Sequence, residues 1–109
     1  MRKPQRSSLE QDEEALSNVM DYLDKANEYY QQALVISREV KDRVNEGIAL
    51  NGLGNSNYST GLYEKAIEYY EQALKVRREA KDRAREASSL SSLGNVYNLL
   101  GRYEKAIEY

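Results

Sequence analysis

Seven polar side chains fall at helical steps and could grip another chain. Asn51, Asn55 and Tyr58 follow one another at intervals of four and three, and Ser88, Ser91, Asn95 and Asn98 at three, four and three. On a helix, such steps put each set on one face. A carboxamide both donates and accepts, so an asparagine stripe can pair with the N–H and C=O of an extended peptide. The same residue types also suit an ordinary solvated face. Arg43 and Arg83 stand just before these two runs. Each could meet a carboxylate of a bound chain or pair with Glu46 or Glu86, three residues on. A denser basic stretch, Lys75, Arg77, Arg78, Lys81, Arg83 and Arg85, faces only Glu79 and Asp82 in its own neighbourhood. It reads as a solvated turn whose cations complement a helix C-terminus, as a docking patch for an acidic peptide, or as a contact for nucleic acid or anionic lipid.

Other chemistry is excluded by what the chain lacks. Its 109 residues include no Cys and no His. Zinc fingers, disulfides, thiol chemistry and any histidine-based dyad or triad therefore fall away. The sequence has no glycine-rich phosphate loop and no metal-ligand spacing. Glu64 and Glu68 form a helical i,i+4 pair that reads as solvated surface. Glu10, Asp12, Glu13 and Glu14 crowd a helix start, where negative charge is favoured. No catalytic residue, metal or cofactor is expected. The 16 Lys+Arg against 18 Asp+Glu leave a net charge of -2, which argues against a general nucleic-acid binder. No apolar run is long enough to cross a membrane. The basic residues 1–8 are not followed by the apolar segment of a secretory signal. The expected location is cytoplasmic and the expected partner a protein or peptide.

The elements that would carry these residues are set by an internal repeat. Residues 23–69 and 63–109 are identical at 26 of 47 positions, an offset of 40. Leu53-Gly54-Asn55 returns as Leu93-Gly94-Asn95, Lys41-Asp42-Arg43 as Lys81-Asp82-Arg83, and Tyr63 to Tyr69 as Tyr103 to Tyr109 without a change. Each unit reads as two helices. Asp42 and Asp82 are candidate N-caps. Among Val44, Ile48, Leu50, Leu53 and Tyr58, the first two stand four apart, Leu50 and Leu53 three apart and Leu50 and Tyr58 eight apart, spacings of helical type. Gly61 and Gly101 stand where a left-handed residue would end a helix. The next helix, about 62–80, has a buried stripe of Ala66, Ile67, Tyr70, Ala73, Leu74 and Val76. Gly54 and Gly94 lie inside helices, where glycine costs about 1 kcal/mol against alanine; a close crossing with no room for a Cβ would account for both. Among the ten tyrosines, Tyr30 and Tyr70 read as core, Tyr29 and Tyr69 as partly exposed, and Tyr63 and Tyr103 as packed near a helix turn.

The pattern of Leu53, Gly54, Tyr63, Ala66, Tyr70 and Ala73, and of Leu93, Gly94, Tyr97, Tyr103 and Ala106, resembles the tetratricopeptide repeat. The 40-residue period is similar to the long repeats of kinesin light chains and spindle-orientation adaptors. The resemblance implies an all-α solenoid of antiparallel helix pairs, a right-handed superhelix of about two and a half repeats. It implies that residues 7–109 form one domain, with a degenerate first repeat at 7–41, a second at 42–81 and a truncated third at 82–109, and residues 1–6 disordered. It also implies that the leading helices line a concave groove, with Asn51, Asn55, Tyr58, Ser88, Ser91, Asn95 and Asn98 as peptide clamps and Arg43 and Arg83 at its edge.

Three departures qualify the pattern. Glu13 and Glu14 replace the Leu and Gly of the leading helix in the first unit, and Asp21 replaces its terminal glycine. Leu9, Leu16, Val19, Met20 and Leu23 would still make that segment an amphipathic capping helix, started by Ser7 with Glu10 or Ser8 with Gln11. The third unit stops seven residues into its second helix. The open end is expected to expose Leu93, Val96, Tyr97, Leu100 and Ile107 and so to favour self-association.

Overall fold

The computed structural model describes residues 7–108, and the expectation for residues 1–6 lies outside them. Four helices follow in order: α1 (Ser8–Glu39), α2 (Arg43–Ser59), α3 (Tyr63–Glu79) and α4 (Arg83–Glu108). Short turns fold each back on the last, so that α2 packs between α1 and α3 while α4 packs on α3. The chain is an all-α helical repeat solenoid. Its radius of gyration, 17.9 Å, exceeds the about 13 Å of a rounded domain of this length. Among the described residues no helix is long and apolar enough to cross a membrane.

The turns repeat with the sequence. Lys41 and Lys81 both take a left-handed φ of 57°, a conformation that costs a non-glycine residue about 1 kcal/mol. In return, Asp42 N–H reaches Ser37 O at 2.8 Å and Asp82 N–H reaches Arg77 O at 3.0 Å, closing the ends of α1 and α3. Each aspartate then caps the next helix: Asp42 accepts from Asn45 N–H at 3.1 Å and Asp82 from Arg85 N–H at 3.2 Å. Gly61, at φ 79°, supplies the left-handed residue between α2 and α3, as its place in the sequence suggests. Ser7 starts α1 by accepting from Glu10 N–H.

Two expected turns are absent. α1 runs unbroken through Asp21, and α4 runs through Gly101. The physical reason is similar at both ends. A turn is worth its cost only when the helix it creates buries a face. Residues 8–20 carry Glu13 and Glu14 where α2 carries Leu53 and Gly54, and lack a glycine at 21. Residues 102–108 hold only Ala106 and Ile107 of the stripe that α3 buries. The first unit therefore has no folded-back leading helix, and Leu9, Leu16 and Val19 stay exposed along an α1 that overhangs α2.

The core forms two clusters. Leu34 of α1, Ala49, Leu50 and Leu53 of α2, and Ala73 and Val76 of α3 make the first. Ala66, Tyr70 and Leu74 of α3 with Leu93 and Val96 of α4 make the second. This corrects the expected self-association surface. Leu93 and Val96 are core residues because that side of α4 faces α3, and Leu100 packs partly against the same cluster. Tyr97 and Ile107 remain exposed. Val44 and Ile48 are each 40% exposed, pointing away from the α2 core face.

Glycine decides how closely α2 is approached. A Cβ at Gly54 would stand 2.6 Å from the Tyr70 ring, and one at Gly52 would collide with Tyr30. Gly94, at the matching place in α4, has nothing within 4 Å, because no helix folds back onto that face. The expected crowding at Gly94 is therefore corrected. The contrast predicts opposite effects from one substitution. Gly54→Ala should lower stability by about 1–3 kcal/mol through overpacking. Gly94→Ala should raise it by up to about 1 kcal/mol through helix propensity. Urea unfolding in dilute solution, followed by helical circular dichroism, measures both.

Candidate functional site

The polar stripe on α2 begins at its capped start and follows the outward face. Val44, Ile48, Asn51, Asn55 and Tyr58 alternate steps of four and three. All are exposed except Asn51, which is half-buried. The same face of α4 presents Ser88, Ser91, Asn95 and Asn98, all exposed. The expected grouping of these seven residues into two helix faces therefore holds geometrically. Val44 and Ile48 extend the α2 stripe with apolar surface. Their spacing from Asn51 and Tyr58 already put them on this face.

Some of the stripe is held by the fold itself. Tyr70 O–H donates to Asn55 Oδ1 at 2.6 Å. Burial pushes the Tyr70 hydroxyl above its ordinary value, with Tyr58 nearby adding to the effect. The proton therefore stays on the donor. Asn55 is itself exposed, and its amide N–H groups can still donate to a bound chain. Ser88 Oγ back-bonds to Ala84 O at 3.5 Å. Among the described residues no side-chain hydrogen bond is made by Ser91, Asn95 or Asn98.

A buried arginine lies behind the stripes. Arg77 of α3 is only 5% exposed. Its Nη1 donates to Ser89 Oγ at 2.8 Å, to Arg85 O at 3.3 Å and, more weakly, to Asn51 Oδ1 at 3.4 Å. One guanidinium thus ties α2 to α4 and sets the spacing between their outer faces. Gly47 makes room for it: a Cβ there would come within 3.2 Å of Arg77 Cγ. Burial pulls the Arg77 guanidinium below its ordinary value, helped by the like charge of Arg85 and opposed by Asp82. Its Nε is buried without a partner. Sequence reasoning missed this role because Arg77 lies within a basic stretch. The available signal was its phase, three residues after Leu74 on the buried stripe.

The other three arginines of the basic stretch are paired. Glu86 accepts from Arg78 Nε and Arg83 Nη1, both at 3.0 Å, and Arg85 pairs with Asp82 at 2.9 Å. One repeat earlier, Glu46 accepts from Arg38 at 3.3 Å and Arg43 at 3.1 Å. Arg43 also reaches Glu79 at 3.3 Å. Of the two alternatives for Arg43 and Arg83, the fold takes pairing with Glu46 and Glu86. The glutamates are nearly buried and the arginines half or more exposed. The pairs therefore anchor the glutamates while leaving cationic surface at each turn.

The tyrosines sort broadly by phase. Tyr70 is core, Tyr30 and Tyr69 are half-buried, and Tyr29 is exposed. Tyr63 meets Tyr58 edge to face at 5.6 Å and stacks on Tyr103 at 6.0 Å. A hydrogen bond with Tyr103 raises the Tyr63 hydroxyl above its ordinary value, with desolvation and the neighbouring rings contributing less. Among the described residues no group of three acidic side chains could hold a metal ion.

The sequence pattern of the tetratricopeptide repeat family matches residues 14–79 and again 49–109. Repeats of this family generally mediate protein–protein interactions. No curated protein matches the chain.

The two caps that begin the stripe helices should titrate. The Asn45 side chain and N–H hold Asp42 below its usual carboxylate range, and the Arg85 side chain and N–H do the same for Asp82. A carboxyl lowered in the folded state stabilises at pH values above its unfolded value, here near 3.8. That contribution is lost as pH falls through the folded value. Asp42→Asn/Asp82→Asn keeps an acceptor at each cap but cannot titrate there. Its melting temperature should fall less steeply than that of the wild type as pH drops from about 5 to 2. Calorimetry across that range measures the difference.

Proposed function

The chain belongs to the tetratricopeptide repeat family, and from that premise we propose that it is a non-catalytic interaction module. It holds an extended peptide or a helix of another protein along the outer faces of α2 and α4. The observation that carries this reading is the pair of exposed amide-bearing stripes held in fixed relation by Arg77. The leading helices of such repeats line the concave side of the solenoid, so the two stripes would flank one groove. Asn95, Asn98 and Ser91 supply free donors and acceptors for a peptide backbone. Val44, Ile48 and Tyr58 supply half-exposed apolar surface for its side chains. Arg43 and Arg83, each tied through one face to a glutamate, would act as groove edges of positive potential rather than as free carboxylate clamps.

An experiment follows from the residues that the fold does not use. An array of unstructured peptides is screened with the wild-type chain, and each binder is measured again with Asn95→Ala/Asn98→Ala. Both positions are exposed, so helicity should be unchanged. Loss of two amide hydrogen bonds should weaken binding about tenfold or more. Unchanged affinity in a variant of intact helicity would contradict the groove reading.

A further inference from the structure

The two repeats part company at Arg77. Forty residues earlier stands Ser37, a small side chain that bonds back to Leu34 O at 3.1 Å. Forty residues after Gly47, whose missing Cβ gives Arg77 room, stands Ala87. α1 packs on α2 with the serine in place, so the contact of one repeat with the next does not need a cation there. The arginine and its glycine are a joint departure from the repeat.

The charge has no counter-ion. Its three acceptors, Asn51 Oδ1, Ser89 Oγ and Arg85 O, all lie on Nη1 and all are neutral. Among the described residues no carboxylate pairs with Arg77. Asp82, which acts on it through space, is bonded to Arg85 at 2.9 Å. Glu46 and Glu86 are each held by two other arginines. A cation only 5% exposed and without an anion is a costly arrangement. Nε, buried with no acceptor, marks the edge of the guanidinium still able to donate. Such an edge matches a carboxylate, which can accept two parallel N–H bonds.

We propose that Arg77 is the receptor for a glutamate side chain of the bound partner, which passes between Asn51 of α2 and Ser89 of α4 and sets its carboxylate on Arg77 Nε. The site belongs to the peptide groove and rests on that reading. The Asn51 contact, at 3.4 Å the longest of the three, is the one that yields. Asn51 is half-buried at the groove face, and its amide then donates to the second carboxylate oxygen. Depth selects the residue. The guanidinium lies behind the two outer faces, so a carboxylate carried on two methylenes reaches it while the partner's backbone stays on the amide stripes. A chain-terminal carboxylate would have to bring its backbone in between the helices.

Two measurements need no peptide. Asn51→Asp supplies a carboxylate from within, so its melting temperature at neutral pH should exceed that of the wild type. Arginine side-chain N–H resonances of the wild type are followed as N-acetylglutamate methylamide is added at millimolar concentrations and constant ionic strength. The Arg77 Nε–H signal should move to a saturating limit. It should not respond to N-acetylglutamine methylamide, nor to either compound in Asn51→Asp. For a peptide that binds on the array, exchanging its glutamate for glutamine should weaken wild-type binding about tenfold or more and leave binding to Arg77→Met unchanged. A role in helix spacing alone would instead make Arg77→Met weaken both peptides alike. An Arg77 signal that ignores the glutamate compound, or answers the glutamine one equally, overturns the proposal. So does an Asn51→Asp chain no more stable than the wild type. A specific Arg77 response beside an array without binders would sink the groove reading and keep the carboxylate site.

Discussion

Everything in this fold leans on the bare backbone of α2. Gly47, Gly52 and Gly54 leave gaps in its surface, and a side chain lies against each: Arg77, Tyr30 and Tyr70. Two of those side chains come from α3 and one from α1, so α2 is gripped from both sides. A glycine in mid-helix costs about 1 kcal/mol in propensity, and three in one 17-residue helix would leave it weak in isolation. Close packing of aromatic rings and of one arginine stem offsets that cost. The stability of α2 is therefore almost wholly tertiary. The flanking helices keep their register because each aromatic has one place to sit.

The same packing explains what is exposed. Once α2 has turned its glycine and leucine faces to α1 and α3, one stripe is left outward, from Val44 to Tyr58. α4 repeats that geometry with half of its surroundings missing: α3 covers Leu93 and Val96, while Leu90, Gly94 and Tyr97 stay open. The turns repeat more strictly than the helices. Arg38, Glu46 and Arg43 at one turn return as Arg78, Glu86 and Arg83 at the next. These pairs fix the entry of each leading helix and so the angle at which its stripe is presented.

Much of the fold was legible in the sequence. The offset of 40, the caps Asp42 and Asp82, the turn at Gly61 and the socket at Gly54 all follow from residue type and spacing. The unbroken α1 and α4 were less legible, because a turn forms only if the helix beyond it has something to bury. Local signals at Gly101 could not report on that. Burial of Leu93 and Val96 depended on which side of α4 meets α3, a tertiary fact. Arg77 was hidden by its charge: a cation in a run of cations reads as solvated. Only the missing Cβ of Gly47, far away in sequence, gives it room. The polar stripes were legible as helix faces, and their occupant was not, since amide side chains suit water as well as a peptide.

The dependence of the fold on α2 is tested most directly by hydrogen exchange of individual amides in dilute solution. Amides of α2 from Glu46 to Ser56 should exchange slowest, at the rate of global unfolding. Protection in α1 should rise only where Tyr30 and Leu34 reach α2, and the overhangs at 8–20 and 102–108 should exchange near the rate of a free helix. Slowest exchange in α1 or α4, with α2 opening earlier, would contradict the claim that the glycine-lined helix holds the others in place.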